Sequence, residues 1–130
     1  MPITPELRKT IFNTLLQNLE TLCPPLVLTK DVAALTCELI GNTPVPYGYD
    51  KKIIPGMYFA SIAQRKDSVA FYFFPAYMHP ELSETAPTLF KCLKGKTCFH
   101  FKKESDIDEK EFIALMKKGV QAWTKSGYIK

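Results

Sequence analysis

Met57-Tyr58-Phe59-Ala60-Ser61-Ile62-Ala63-Gln64, then Arg65-Lys66-Asp67, then Ser68-Val69-Ala70-Phe71-Tyr72-Phe73-Phe74, is the stretch that decides the fold. Two runs rich in aromatic and aliphatic residues flank a short polar turn, which is the pattern of a β-hairpin. Side chains alternate across a strand, so Tyr58 and Phe59 point to opposite faces, as do Phe71 and Tyr72. The hairpin is therefore apolar on both sides, unlike a meander with one wet face. One face has to meet helices. The other has to meet a second helix, a ligand or another subunit.

Working outward, a helix is expected from Pro5 to Leu22, capped by Thr4 and stopped by Cys23-Pro24-Pro25. Leu7, Ile11, Leu15, Leu19 and Leu22 form its apolar stripe. Leu26-Val27-Leu28 reads as a short strand or arm, and Leu35, Cys37 and Leu39 as a half-buried strand. Pro46 to Asp50 reads as irregular, and Lys51 to Ile54 is left open. Beyond the hairpin, Pro75, Pro80 and Pro87 interrupt regular structure, with a helical turn at Pro80-Glu81-Leu82. Pro87 opens a helix expected to reach Lys94, with Gly95 as its left-handed terminator and Leu89, Phe90 and Leu93 inside. Lys96 to Lys102 alternates as a strand. A last helix is expected from near Asp106, with Asp106 and Glu109 spaced as a capping box and Gly127 at its end. Its stripe is Phe112, Leu115, Met116, Val120 and Trp123. The order predicts an α+β domain: an antiparallel β-sheet with N-terminal, middle and C-terminal helices packed on it.

With 130 residues, 46% hydrophobic and 23% charged, the chain suits one domain spanning 1–130 with an ordinary core. No apolar run approaches the roughly 20 residues of a membrane span. The start, MPITPELRKT, lacks the pattern of a secretory signal, so a cytoplasmic protein is expected. Seventeen basic against 13 acidic residues give a net charge of +4, short of the bias of a nucleic-acid binder. Cys23, Cys37, Cys92 and Cys98 form no C-x-x-C and are read as reduced thiols, mostly buried.

Several stretches together resemble the YdhG-like family of bacterial domains of unknown function. They are Met57-Tyr58-Phe59-Ala60, Phe71 to Tyr77, Pro80-Glu81-Leu82 and, above all, Leu93-Lys94-Gly95-Lys96-Thr97-Cys98-Phe99-His100-Phe101-Lys102-Lys103. The likeness runs from about Ala34 to Trp123. It implies an α+β fold in a bacterial cytoplasm. It also implies iron handling as a hypothesis, because one member is described as a frataxin-like iron chaperone.

Five groups of residues are candidates for function. Cys98 and His100 stand two apart on a strand; if Phe99 and Phe101 face the core, thiol and imidazole share the second face. Such a pair suits a soft or borderline metal or an activated thiolate, and equally a packed cysteine beside a hydrogen-bonded histidine. Tyr77, His79 and Glu81 alternate in a proline-stiffened segment, and histidine with carboxylate suits iron or zinc. Lys91, Lys94, Lys96, Lys102 and Lys103 make a basic run without P-loop spacing. Glu104, Asp106, Asp108, Glu109 and Glu111 could offer oxygen ligands, although capping already explains carboxylates at a helix start. Tyr47, Tyr49, Tyr58, Tyr72 and Tyr77 suit a surface that is apolar at one end and wet at the other.

The sequence thus favours a binding module over an enzyme, since no G-x-S-x-G, H-E-x-x-H or dinucleotide fingerprint occurs. The expected small-ligand residues are Tyr58, Tyr72, Tyr77, His79, Lys94 and Lys96. The expected metal residues are His79, Glu81, Cys98 and His100, with iron as the metal. A homodimer through the second face is the third expectation.

Overall fold

A six-stranded antiparallel sheet in the order β1-β2-β5-β6-β8-β7 carries the fold in the computed structural model, which describes residues 3–23, 26–47, 49–95 and 98–129. The strands are β1 (Val27–Asp31), β2 (Thr36–Ile40), β5 (Tyr58–Gln64), β6 (Val69–Phe73), β7 (Leu93–Lys94) and β8 (Cys98–Phe101). A separate two-stranded ribbon joins β3 (Val45–Tyr47) to β4 (Lys52–Ile54). The helices are α1 (Pro5–Glu20), α2 (Pro75–Met78), α3 (Pro87–Phe90) and α4 (Glu109–Lys125). The α+β class with N-terminal, middle and C-terminal helices is as the sequence predicts.

The central hairpin forms as read, with the Arg65 N–H donating to the Ser68 carbonyl at 2.8 Å across the turn. Register partners share a face. Ile62, Phe71 and Phe99 are thus ranked across one side, as are Ala63, Ala70 and His100 across the other. The first side is the core: Phe59, Phe71, Phe73, Phe99 and Phe101 are all essentially inaccessible. Helix α4 lies on it, placing Phe112 against Phe71 at 5.3 Å between ring centroids and Trp123 against Phe59 at 5.8 Å. Helix α1 lies beside α4 on the same side, since Asn18 and Leu22 edge one small groove with Phe112 and Met116. The phenylalanine face therefore takes both long helices.

A bulge in β5 sets the direction of the tyrosine. Leu39 pairs with Ala60, but Ile40 pairs with Tyr58, so β5 holds one extra residue at Phe59. Phe59 and Ala60 both turn to the core. Tyr58 moves to the side of Ser61, whose hydroxyl it meets in a hydrogen bond.

Four local readings are corrected. Val45–Tyr47 and Lys52–Ile54 pair as the ribbon β3–β4, so Tyr47 belongs to that ribbon and not to the main sheet, and Tyr49 is fully exposed. The Pro87 helix stops at Phe90 and does not reach Lys94. Leu93 and Lys94 are instead strand β7, paired to Phe99 and Cys98, and Gly95, at φ +74°, leads out of that strand. Pro75 opens the one-turn α2, where the sequence reading had a break. Finally, Asp108 and not Asp106 caps α4, accepting the Glu111 N–H at 3.1 Å. Asp106 is used one turn earlier, accepting the Lys102 N–H at 2.8 Å. Lys96, Thr97 and the Pro24-Pro25 stop lie outside the described residues.

Replacing Asp108 by Ala leaves a helix N–H without its cap. The expected loss is about 1 kcal/mol, read as a lower urea midpoint at unchanged slope. Asp108→Asn should recover most of it, and an Asp106→Ala variant that costs more would overturn the assignment of the cap.

Candidate functional site

The outer side of the sheet, away from the long helices, carries the candidate site. Its residues come from four strands in register. Tyr58 and Ser61 lie on β5, Ser68 just before β6 and Tyr72 on it, Lys94 on β7, and Cys98 and His100 on β8. Alternation puts them there: Phe99 and Phe101 face the core, so Cys98 and His100 face out. Tyr72 is the partner of Cys98, and Lys94 pairs with Cys98 from the other side.

Two hydrogen-bonded groups lie side by side on this surface, Arg65 with Tyr72 and Cys98 with His100 and Ser68. Arg65 donates to the Tyr72 hydroxyl and lies 5.9 Å from the centroid of that ring. Tyr72 stands beside Cys98 as its register partner across β6 and β8. The Cys98 sulfur stands 3.3 Å from His100 Nε2, and His100 Nδ1 stands 3.1 Å from the Ser68 hydroxyl. Ser68 is only 3% exposed, a buried polar group. One assignment of protons serves both contacts of His100: the thiol donates to Nε2, and Nδ1–H donates to Ser68 Oγ.

The electrostatics favour the neutral forms. Burial first, then the charges of Arg65, Lys94 and Lys102, hold the His100 imidazole below its ordinary range. Burial pushes the Cys98 thiol up, against the opposing pull of Tyr72 and Arg65. Tyr58 is likewise pushed up to about 12 by burial, against its bond to Ser61. Beside this cluster, Thr29, Glu38, Ser61 and Ala63 help line a shallow groove of about 430 Å³.

No protein-family model, curated protein or solved structure matches this chain. The geometry of the surface is what the functional reading rests on.

The predicted residues divide into separate places. Tyr58, Tyr72, Lys94, Cys98 and His100 come together on the outer face. Tyr77 stacks on Phe74 at 5.9 Å and 7°, and Phe74 meets Tyr58 at 5.8 Å, so an aromatic row leads away from the cluster. Tyr77 then borders a groove of about 320 Å³ with Pro80, Phe90 and Leu93. His79 and Glu81 stand 3.5 Å apart in a different, polar groove, against Lys118 and Lys125 of α4. The four expected metal residues thus form two pairs. Among the described residues, no three His, Cys, Asp or Glu side chains are grouped so as to hold a metal ion. Lys96 lies outside the described residues.

The acidic cluster is largely engaged in capping. Asp106 and Asp108 cap as described, and one Glu111 oxygen accepts the Thr88 and Leu89 N–H groups at 2.8 and 3.1 Å, fixing α3 to α4. The thiols are all free, Cys37 buried and the others half-buried. Burial pushes Cys37 up to about 12, so it stays protonated in the core. Among the described residues no helix is long and apolar enough to cross a membrane.

Arg65, Ser61 and Ser68 are the site residues that the sequence reading missed. Arg65 and Ser68 flank the hairpin turn and read there as ordinary turn polarity. The available signal was parity: Ser68, Ala70 and Tyr72 alternate onto one face, so the serine shares the side of Tyr72.

Proposed function

We propose that this chain is a binding module for a small anionic molecule with a planar part, held on the outer face over β5, β6 and β8. The observation that carries this reading is the cluster of Tyr72, Cys98 and His100 over buried Ser68, with Arg65 bound to Tyr72 and Lys94 and Lys102 alongside. A merely solvated sheet face has no need to order four such side chains beside a buried serine. Tyrosine rings offer flat apolar contact with a polar tip, and the three cations supply attraction for an anion. The lysines of the sequence's basic run serve here as a local field, consistent with the modest net charge.

The resemblance to the YdhG-like family fits a small α+β protein with such a face. Its iron-chaperone implication has weaker support, because the histidines stand in separate pairs and the carboxylates at α4 are capping. A homodimer through the same face is the other reading, and sedimentation over a range of concentrations separates it from ligand binding.

Protein-observed NMR with benzoate, adenosine monophosphate and inorganic phosphate tests the proposal. The expected result is fast-exchange shifts at Tyr58, Ser61, Tyr72, Cys98 and His100. Tyr72→Ala should weaken binding about tenfold, the equivalent of one hydrogen bond plus some ring contact. Shifts gathered instead around His79, Glu81 and Lys118 would move the site to the other groove and sink this one.

A further inference from the structure

The outer-face cluster has the order of parts that nucleophilic catalysis requires: a thiol on an imidazole, and that imidazole held by a third group. Cys98 Sγ meets His100 Nε2 at 3.3 Å, and His100 Nδ1 meets Ser68 at 3.1 Å. Ser68, which is buried, holds the ring in place, and the tautomer with its proton on Nδ1 leaves Nε2 free to take the thiol proton. A fourth part is also present. Tyr72, whose hydroxyl Arg65 binds, is the cross-strand partner of Cys98, and a donor there would serve an oxygen on a carbon bonded to that sulfur. Cys23 and Cys92 are half-buried to a similar degree, yet neither has an imidazole contact among the described residues.

We propose that Cys98 is an acyl-accepting nucleophile with His100 as its base, and that its substrates are esters or thioesters on an anionic carrier. This deepens the small-anion reading of the same face and rests on it. The thiol proton passes to His100 Nε2 as the sulfur pair bonds to the acyl carbon. The π pair of the carbonyl moves to its oxygen, which accepts the Tyr72 hydroxyl. That intermediate collapses with loss of the carrier alcohol or thiol, which takes the proton back from His100. Water then bonds to the acyl carbon as His100 Nε2 takes its proton, and the carbon–sulfur bond breaks with that proton passing to the sulfur, releasing the acid and restoring Cys98. Ester and water in, acid and alcohol out, is the whole balance. Arg65, Lys94 and Lys102 ring the imidazole and select the anionic carrier. Ser68 is a positioning residue, because it acts through His100.

The mechanism needs a base, and this gives it a signature. A free thiol with a raised pKa reacts faster by about tenfold per pH unit through neutrality, because only its thiolate attacks. A thiol served by a neutral imidazole reacts at a rate set by that imidazole instead. The titratable and charged groups facing His100 are Cys98 on its own strand, Lys102 beyond it, Tyr72 on β6, Arg65 at the end of β5 and Lys94 on β7. Its cationic neighbours and its burial act in one direction, so its proton is lost below its usual range. The Cys98 rate should therefore rise to a plateau on the acid side of pH 6.5 and stay level to about pH 8.

The test uses the wild-type protein with p-nitrophenyl acetate and the anionic mono-p-nitrophenyl succinate, followed by phenolate release and by peptide mass mapping. The expected result is a burst of one equivalent, with the acyl group on Cys98 and the plateau just described. Cys23 and Cys92, in the same sample, should react slowly and with a steep pH dependence. His100→Gln should slow the burst about a hundredfold, and Tyr72→Phe by a similar factor. Ser68→Ala should lower the plateau and shift its acid limb. The succinate probe should outpace the acetate probe at low salt, and Lys94→Ala with Lys102→Ala should erase that preference. Acylation of Cys98 no faster than Cys23 and Cys92, with the same pH slope, overturns the proposal even if a variant fails to fold. Should the NMR shifts on this face occur without acylation, the nucleophile falls and the binding reading stands. Should neither occur, both fall.

Discussion

Trp123→Ala is expected to destabilise the protein by about 3–5 kcal/mol, the loss that follows deletion of a large aromatic side chain from a packed core. Trp123 is 0% exposed and closes the core from α4. Its ring meets Phe59 at 5.8 Å, Phe74 at 6.1 Å and Tyr128 at 5.3 Å, all nearly edge-on. Three separate elements therefore lose a packing partner together: the bulge of β5, the exit from β6 and the C-terminal segment. Against a typical total of about 5–15 kcal/mol, such a loss leaves a marginal fold. Trp123→Phe is a sharper comparison. The indole Nε1 is buried with no hydrogen-bond partner among the described residues, so removing it costs no bond. Urea unfolding should show the Phe variant losing less than half of what the Ala variant loses. Equal losses would mean that the N–H has a partner and that ring packing is not the main contribution.

Much of this core was legible because helical and strand periods report burial directly. That Phe71, Phe99 and Phe112 lie on apolar faces follows from their own spacings, and in the structure they meet. The outer face was legible only by parity. That Cys98 and His100 share a side follows from a two-residue spacing on a strand. That they meet Tyr72 and lie over Ser68 depends on the register of β6 with β8, which no local pattern encodes. The bulge at Phe59 was hidden for a similar reason: it exists only relative to β2.

The errors have a common origin in short elements. Pro87-Thr88-Leu89-Phe90-Lys91-Cys92-Leu93-Lys94-Gly95 has proline at one end and glycine at the other, as a helix would. Glu111 captures the Thr88 and Leu89 N–H groups and anchors a single turn, after which Leu93 is drawn into the sheet by Phe99. A tertiary partner overrode the local preference. The same holds for Asp106 and Asp108, two carboxylates equally suited to a cap, between which the turn at Lys102 decided. The ribbon β3–β4 was missed because Pro46 and Tyr47 carry little alternation and face solvent on one side.

Gly56→Ala should be the second large loss, at about 3 kcal/mol, through a clash that the surrounding backbone cannot relieve. An added Cβ at Gly56 would stand 1.9 Å from the Gly41 carbonyl oxygen. One at Gly41 would stand 2.2 Å from the Tyr128 carbonyl oxygen. The exit of β2, the approach to β5 and the segment after α4 are thus stacked backbone on backbone, with the Gly41 N–H donating to Met57 at 2.8 Å. No side chain can step aside. Gly95→Ala is the control, because Gly95 has φ +74° and open space around it, so its cost is about 1 kcal/mol of left-handed strain alone. Equal urea midpoints for the two variants would show that close approach is not what Gly56 provides. The consequence reaches the site, since Gly56 lies two residues before Tyr58 and sets the entry of β5 into its bulge. At temperatures where the Gly56→Ala variant is still folded, its Tyr58 and Ser61 NMR signals should move while those of Cys98 and His100 stay. Movement at Cys98 instead would mean that β8, and not β5, is what the crossing of the glycines holds in place.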